Sequence, residues 1–176
     1  MKRTAVVALA ALVVSIVSAC SSLQTQAAAH HKLAVSLGNQ GDVDGAIREL
    51  NETLRLDPNS AAAHHDLGFS FGLKGDKDGK MREAREAVRL DPNDASNHSL
   101  LASAFYEKGD MDGAIREGRE AVRLDPNNTA GHTVLGAALL AKGDSDGAIR
   151  ESQEALRLNP NIPVARKTLE EALKAR

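Results

Sequence analysis

Four times along the chain an apolar run meets a Gly-Asp pair, passes into a run that mixes apolar and charged residues at helical spacing, and stops at Leu-(Asp/Asn)-Pro-Asn. The stop motif stands at Leu56-Asp57-Pro58-Asn59, Leu90-Asp91-Pro92-Asn93, Leu124-Asp125-Pro126-Asn127 and Leu158-Asn159-Pro160-Asn161, each copy 34 residues after the last. Apolar positions recurring every three or four residues predict helices, and proline and Gly-Asp break them. The chain therefore divides into four helical hairpins, Ala27 to Ser60, Ala61 to Asp94, Ala95 to Asn128 and Thr129 to Ile162. Gly41, Gly75, Gly109 and Gly143 are placed to take positive φ after the first helix. Asp42, Asp76, Asp110 and Asp144 follow as N-caps of the second. Val164 to Lys174 continues helical, with Leu169, Ala172 and Leu173 on one side, and reads as a capping helix over residues 163–176.

On each second helix an exposed face repeats Arg48 with Glu52, Arg82 with Glu86, Arg116 with Glu120 and Arg150 with Glu154 at i,i+4 spacing. The same glutamates also meet Arg55, Arg89, Arg123 and Arg157 at i+3. Such pairs describe a wet outer face, each worth about 0.2–0.5 kcal/mol.

Repeat length, proline position and small-residue pattern together resemble the tetratricopeptide repeat family over residues 27–162. The family's close-packing site in the first helix matches Ala34, Gly68, Ala102 and Gly136, followed by the large Leu37, Phe71, Phe105 and Leu139. Its second-helix alanine matches Ala46, Ala114 and Ala148, but Lys80 takes that place in repeat two, which is expected to be locally loose. His30, His64, His98 and His132 stand where the family carries Trp. Late in the second helix the expected aromatic is replaced by Leu50, Ala84, Gly118 and Ser152, and Gly118 is expected to cost about 1 kcal/mol relative to Ala. The resemblance implies an all-α, right-handed α-solenoid whose first helices line a concave groove.

That groove is where the resemblance places a partner. The repeat positions it implies there include His31, His65, Asp66, Phe69, Leu100, Ser103, Tyr106, Val134, Ala137 and Leu140, together with Lys32, Val35, Asn39 and Leu73. Polarity falls toward the C-terminal repeats, so Leu100, Tyr106, Val134 and Leu140 form the expected apolar strip, with His31 and His65 as donors at the other end.

Composition narrows the classes further. Aromatic residues make up 2% of the 176 residues and there is no Trp, which suits thin helix-on-helix packing. Lys and Arg total 22 against 24 Asp and Glu, interspersed, so no basic field is present to attract nucleic acid. Residues 1–19 have Lys2 and Arg3 followed by an uncharged stretch from Thr4 to Ala19, the pattern of a secretion signal. Val17-Ser18-Ala19-Cys20 resembles a bacterial lipobox, which implies that Cys20, the only cysteine, is acylated. Residues 20–26 then form a short flexible tether, and Ser21 after the cysteine suggests the outer membrane by analogy with Gram-negative sorting.

All six histidines fall on two repeat positions. Equivalent positions in stacked hairpins are about 8–10 Å apart, whereas zinc needs ligands about 2 Å from one ion, so packing is the reading and no metal is assigned. The Gly-Asp-x-Asp-Gly turns lack the remaining oxygen ligands of a calcium loop. No nucleophile elbow, phosphate loop or His-Glu-x-x-His occurs. The expectation is a membrane-anchored scaffold or assembly factor of the bacterial envelope, without cofactor or catalysis, that binds a protein or peptide. Pilotins and outer-membrane assembly scaffolds are the kinds of protein the resemblance implies. The alternatives are a self-associating repeat protein and, least favoured, a histidine-dependent metal enzyme.

Overall fold

A computed structural model describes residues 22–176. Cys20, Ser21 and the apolar leader lie outside the described residues. The described residues form α1 (residues 22–39), α2 (Val43–Leu56), α3 (Ala61–Leu73), α4 (Lys77–Leu90), α5 (Ala95–Glu107), α6 (Met111–Leu124), α7 (Thr129–Ala141), α8 (Ser145–Leu158) and α9 (Pro163–Lys174), with no strand among them. The expected coil before Ala27 is helical from residue 22 onward, continuous with α1. Ser22 to Gln26 hold no proline or glycine, and Gln26 Nε2 donates to Ser22 Oγ one turn back (3.3 Å).

Both hairpin boundaries have the chemistry the sequence calls for. Gly41, Gly75, Gly109 and Gly143 sit at φ between +76° and +85°, a region closed to most side chains. The aspartate after each one accepts from the backbone N–H three residues on, as Asp110 Oδ1 does from Gly113 (2.9 Å). In the proline turns Asp57 Oδ1 accepts from Asn59 N–H and Asp91 Oδ1 from Asn93 N–H, both at 3.2 Å.

Hairpins stack through apolar seams. Met81, Ala84, Leu100, Leu101 and Ala104 form one core cluster, Leu135, Leu139, Ala148, Ile149 and Ala172 another, and Ala34, Leu50, Ala63 and Leu67 a third. Gly118 has a positive role here: a Cβ on it would lie 3.1 Å from Leu135 Cβ, so its absence lets α6 and α7 approach closely. The propensity cost remains, offset by that packing.

Polar bonds repeat with the hairpins. Nδ1 of His30, His64, His98 and His132 meets Oε2 of Glu49, Glu83, Glu117 and Glu151 at 2.6–2.9 Å. Nε2 of His64, His98 and His132 also reaches the carbonyl of the preceding turn's Pro58, Pro92 or Pro126 at 3.0–3.2 Å. In place of Trp, each of these three rings ties its own hairpin to the one before. A second ladder joins Lys74 to Asp44, Lys108 to Asp78 and Lys142 to Asp112. On the outer face the arginine one turn on wins the glutamate: Arg55, Arg89, Arg123 and Arg157 pair with Glu52, Glu86, Glu120 and Glu154 at 2.6 Å. The i,i+4 partners Arg82 and Arg116 turn instead to Glu83 and Glu117 and lie over the rings of Phe71 and Phe105.

Candidate functional site

The first helices line one side of the stack, and three adjoining depressions run along it. The first, about 210 Å³, lies between α1, α2 and α3 and includes Val35, Gly38, Ala46, Phe69 and Leu73. The second, about 510 Å³, includes His65, Phe69, Lys80, Leu100 and Ser103. The third, about 600 Å³, includes Ser103, Tyr106, Val134, Ala137, Ile162 and Val164. Phe69 is shared by the first two and Ser103 by the last two, so the depressions form one open groove.

Most of the sequence-derived site residues are on this surface, with four corrections. Leu100 is only 6% exposed, and a Cβ on Gly68 would lie 3.1 Å from its Cδ2; it is a core residue whose edge reaches the groove floor. Leu140 lines none of the three depressions and packs against the Leu135, Leu139, Ala148 and Ile149 cluster. His31 and His65 are not open donors. His31 Nε2 pairs with Asp66 Oδ2 (2.8 Å) and His65 Nδ1 with Asn97 Oδ1 (3.1 Å). Because buried Asn97 donates through Nδ2 to the carbonyls of Ala87 and Asp91, its Oδ1 must face His65, which fixes the proton on His65 Nδ1.

The fourth correction is to the polarity gradient. The most exposed apolar groove residues are Leu73 (60%), Phe69 (55%) and Val164 (54%), ahead of Val35 (45%) and Tyr106 (37%), so apolar exposure stands at both ends of the groove instead of rising toward the C-terminal repeats. Val134 is half-buried and Ala137 buried.

Lys80 is the residue whose role the sequence reading missed. Its side chain is 8% exposed; Nζ donates to Ser103 Oγ (2.8 Å) and to Glu107 Oε1 (2.5 Å). Far from loosening repeat two, the lysine stem packs on Gly72, where a Cβ would meet its Cδ at 3.1 Å. The signal was in the sequence: the only long side chain at the small-residue position faces the only glutamate at the thirteenth position of a repeat. The groove's Asp66 and Glu107 are thus each bonded from within.

Among the described residues no group of three His, Cys, Asp or Glu could hold a metal ion, and no helix is long and apolar enough to cross a membrane.

A family model described as TPR repeat matches residues 39–75 and 102–143. Solved structures follow the same path. The crystal structure of MamA is 23% identical, covering 85% of this chain and 82% of that one, at a TM-score of 0.71. Pseudomonas aeruginosa pilF is 24% identical, with 87% and 70% covered and a TM-score of 0.75. The fold is a tetratricopeptide-repeat solenoid. A third TPR structure, YrrB, described as having an unusual peptide-binding site, is 18% identical over 84% of each chain, at a TM-score of 0.64. No curated protein matches the sequence. At these identities the likeness is one of fold, and the TPR groove of this chain has to be read from its own side chains.

Proposed function

We propose that this TPR solenoid is a lipid-anchored scaffold of the bacterial cell envelope, held to the membrane through Cys20, that binds a protein or peptide client in its concave groove and helps assemble or tether a membrane complex. The observation that carries the reading is the groove itself. It runs past the first helices of all four repeats, exposes Val35, Phe69, Leu73 and Tyr106, and has its carboxylates bonded from within. Exposed apolar side chains gathered in a concave surface gain free energy when a partner covers them. The peptide-binding site for which YrrB is described, on the same fold, supports a client of this kind. Function is recruitment rather than chemistry.

A photo-crosslinker placed at Phe69 of the full chain in its own cells should give a discrete protein adduct, and one placed at Arg150 on the outer face should not. Equal adducts at both positions would refute groove binding. Cys20→Ala should move the protein from the membrane fraction to the soluble fraction, and an unchanged distribution would remove the lipid anchor from the reading.

Self-association is the second reading. Leu33 is 47% exposed, whereas Leu67, Leu101 and Leu135, at the same repeat position, are 2–5% exposed beneath the preceding hairpin. A mass in solution that rises with concentration and falls in Leu33→Glu would favour it.

A further inference from the structure

In repeats one and two the twelfth and twentieth positions of the repeat face each other across the hairpin. In repeat two Gly72 faces Lys80, whose alkyl stem fills the space the glycine leaves. In repeat four the large residue is Leu140, packed against a cluster that contains Ala148. Repeat three carries Tyr106 with Ala114. Repeat one alone has two small residues, Gly38 and Ala46, and a Cβ built on Gly38 meets nothing closer than Ala46 Cβ at 4.0 Å. The result is the about 210 Å³ pit floored by Ala34 and by Leu50, which is 1% exposed. Apolar cavities of about 150 Å³ already accept benzene or xenon.

Repeat two supplies a template for the occupant. There the filling chain is linear and ends at Ser103 and Glu107, the ninth and thirteenth positions of the next repeat, which suit its ammonium group. At the pit of repeat one those two positions are Phe69 and Leu73, both exposed and apolar. The same cell that receives a charged tip in repeat two is therefore built for an uncharged one in repeat one. The nearby carboxylate, Asp66, is bonded to His31 Nε2 at 2.8 Å, so that oxygen already has a partner within the protein.

We infer that the pit of repeat one is an anchor site for a single uncharged aliphatic side chain, of leucine or methionine size, carried by a client peptide. This rests on the proposal that the groove binds peptides and specifies which part of the groove decides affinity. Phe69 and Leu73 would close over the anchor.

The test is selection of a random peptide display library on the immobilised full chain, followed by fluorescence anisotropy of the enriched peptides. Binding is compared across the parent protein, Gly38→Leu, Leu73→Glu and Val134→Glu. Gly38→Leu fills the pit from within, as Leu140 does in repeat four; Leu73→Glu changes only an exposed rim residue, so folding is not at issue. The expected result is peptides sharing one Leu or Met, bound at least tenfold more weakly by Gly38→Leu and by Leu73→Glu, with a smaller effect of Val134→Glu. Peptides that bind all of the first three forms alike would overturn the anchor site and leave peptide binding by the groove intact. Enrichment no greater than on the urea-unfolded chain would overturn both.

Discussion

His98 Nδ1 lies 2.9 Å from Glu117 Oε2, and the opposite ring nitrogen lies 3.0 Å from the carbonyl of Pro92. One side chain thereby joins the two helices of repeat three to the turn that ends repeat two. His98→Ala deletes a ring that is 7% exposed, together with its contacts to Glu117 and to the Pro92 carbonyl. It should destabilise the protein by about 2–4 kcal/mol. The matching His30 has a 36% exposed side chain, and His30→Ala should cost under about 1 kcal/mol. Urea midpoints at constant slope compare the two.

Ser152 is 1% exposed, and its hydroxyl has no hydrogen-bond partner. Ser152→Ala removes an unsatisfied polar atom from α8 and inserts a better helix former. Stability should rise by about 1 kcal/mol. A lower melting temperature for the alanine variant would show that the hydroxyl is satisfied in solution.

Lys80 separates packing from charge. Lys80→Met keeps the stem against Gly72 and gives up the bond to Glu107, whose 33% exposed side chain can return to water. Its cost should stay within about 1 kcal/mol, whereas Lys80→Ala empties the cell and should cost about 2–3 kcal/mol. Denaturant titration of both variants decides which contribution is larger.

Acid should weaken the outer-face ladder. Hydrogen bonds from Arg55, Arg89, Arg123 and Arg157 hold Glu52, Glu86, Glu120 and Glu154 below the ordinary glutamate range, and Lys74 and Lys108 do the same for Asp44 and Asp78. A carboxyl with a lowered folded-state pKa stabilises above its unfolded pKa, and that contribution is lost as pH falls through the folded value. The contribution of these carboxylates should therefore be complete near neutrality and be lost below the ordinary carboxylate range. These groups are exposed, so added salt should shrink the loss. Thermal melts along a pH series in low and high salt check both signs.

Leu100 and Tyr106 make a contrasting pair. Leu100→Ala should cost about 2–4 kcal/mol, because its side chain lies in the Met81, Ala84 and Leu101 cluster. Tyr106→Ala, at a 37% exposed position, should change stability by about 1 kcal/mol or less and act on client binding instead. Unfolding curves of the two variants compare them directly.

These cases show what the sequence could and could not disclose. Hairpin boundaries were legible because turns are local chemistry: Gly109 at positive φ and Asp110 as its cap each need only a few neighbours. The groove was less legible. The first helices touch neighbours on two sides, so an apolar residue such as Leu100 fits core and groove equally well until the hairpins are stacked. Lys80 misled for a related reason. A long residue at a small-residue position reads as a disturbance until Gly72 and Glu107, the second on another hairpin, appear beside it. The Val35, Phe69 and Leu73 patch was hidden by averaging polarity over whole repeats, since the polar Asp66 and His31 belong to the same two repeats and bond to each other.

From α2 to α9, each helix contacts only those one or two places along the chain. Nothing in that stretch has to wait for a distant segment to close a loop, and sequence separation governs how fast a small domain forms. Once α5 has been made, α2 and α3 have every helix partner from α2 onward that they will ever touch. The N-terminal half can therefore acquire its order while the C-terminal half is still being made, and lengthening the protein by another hairpin would add contacts without slowing those already formed.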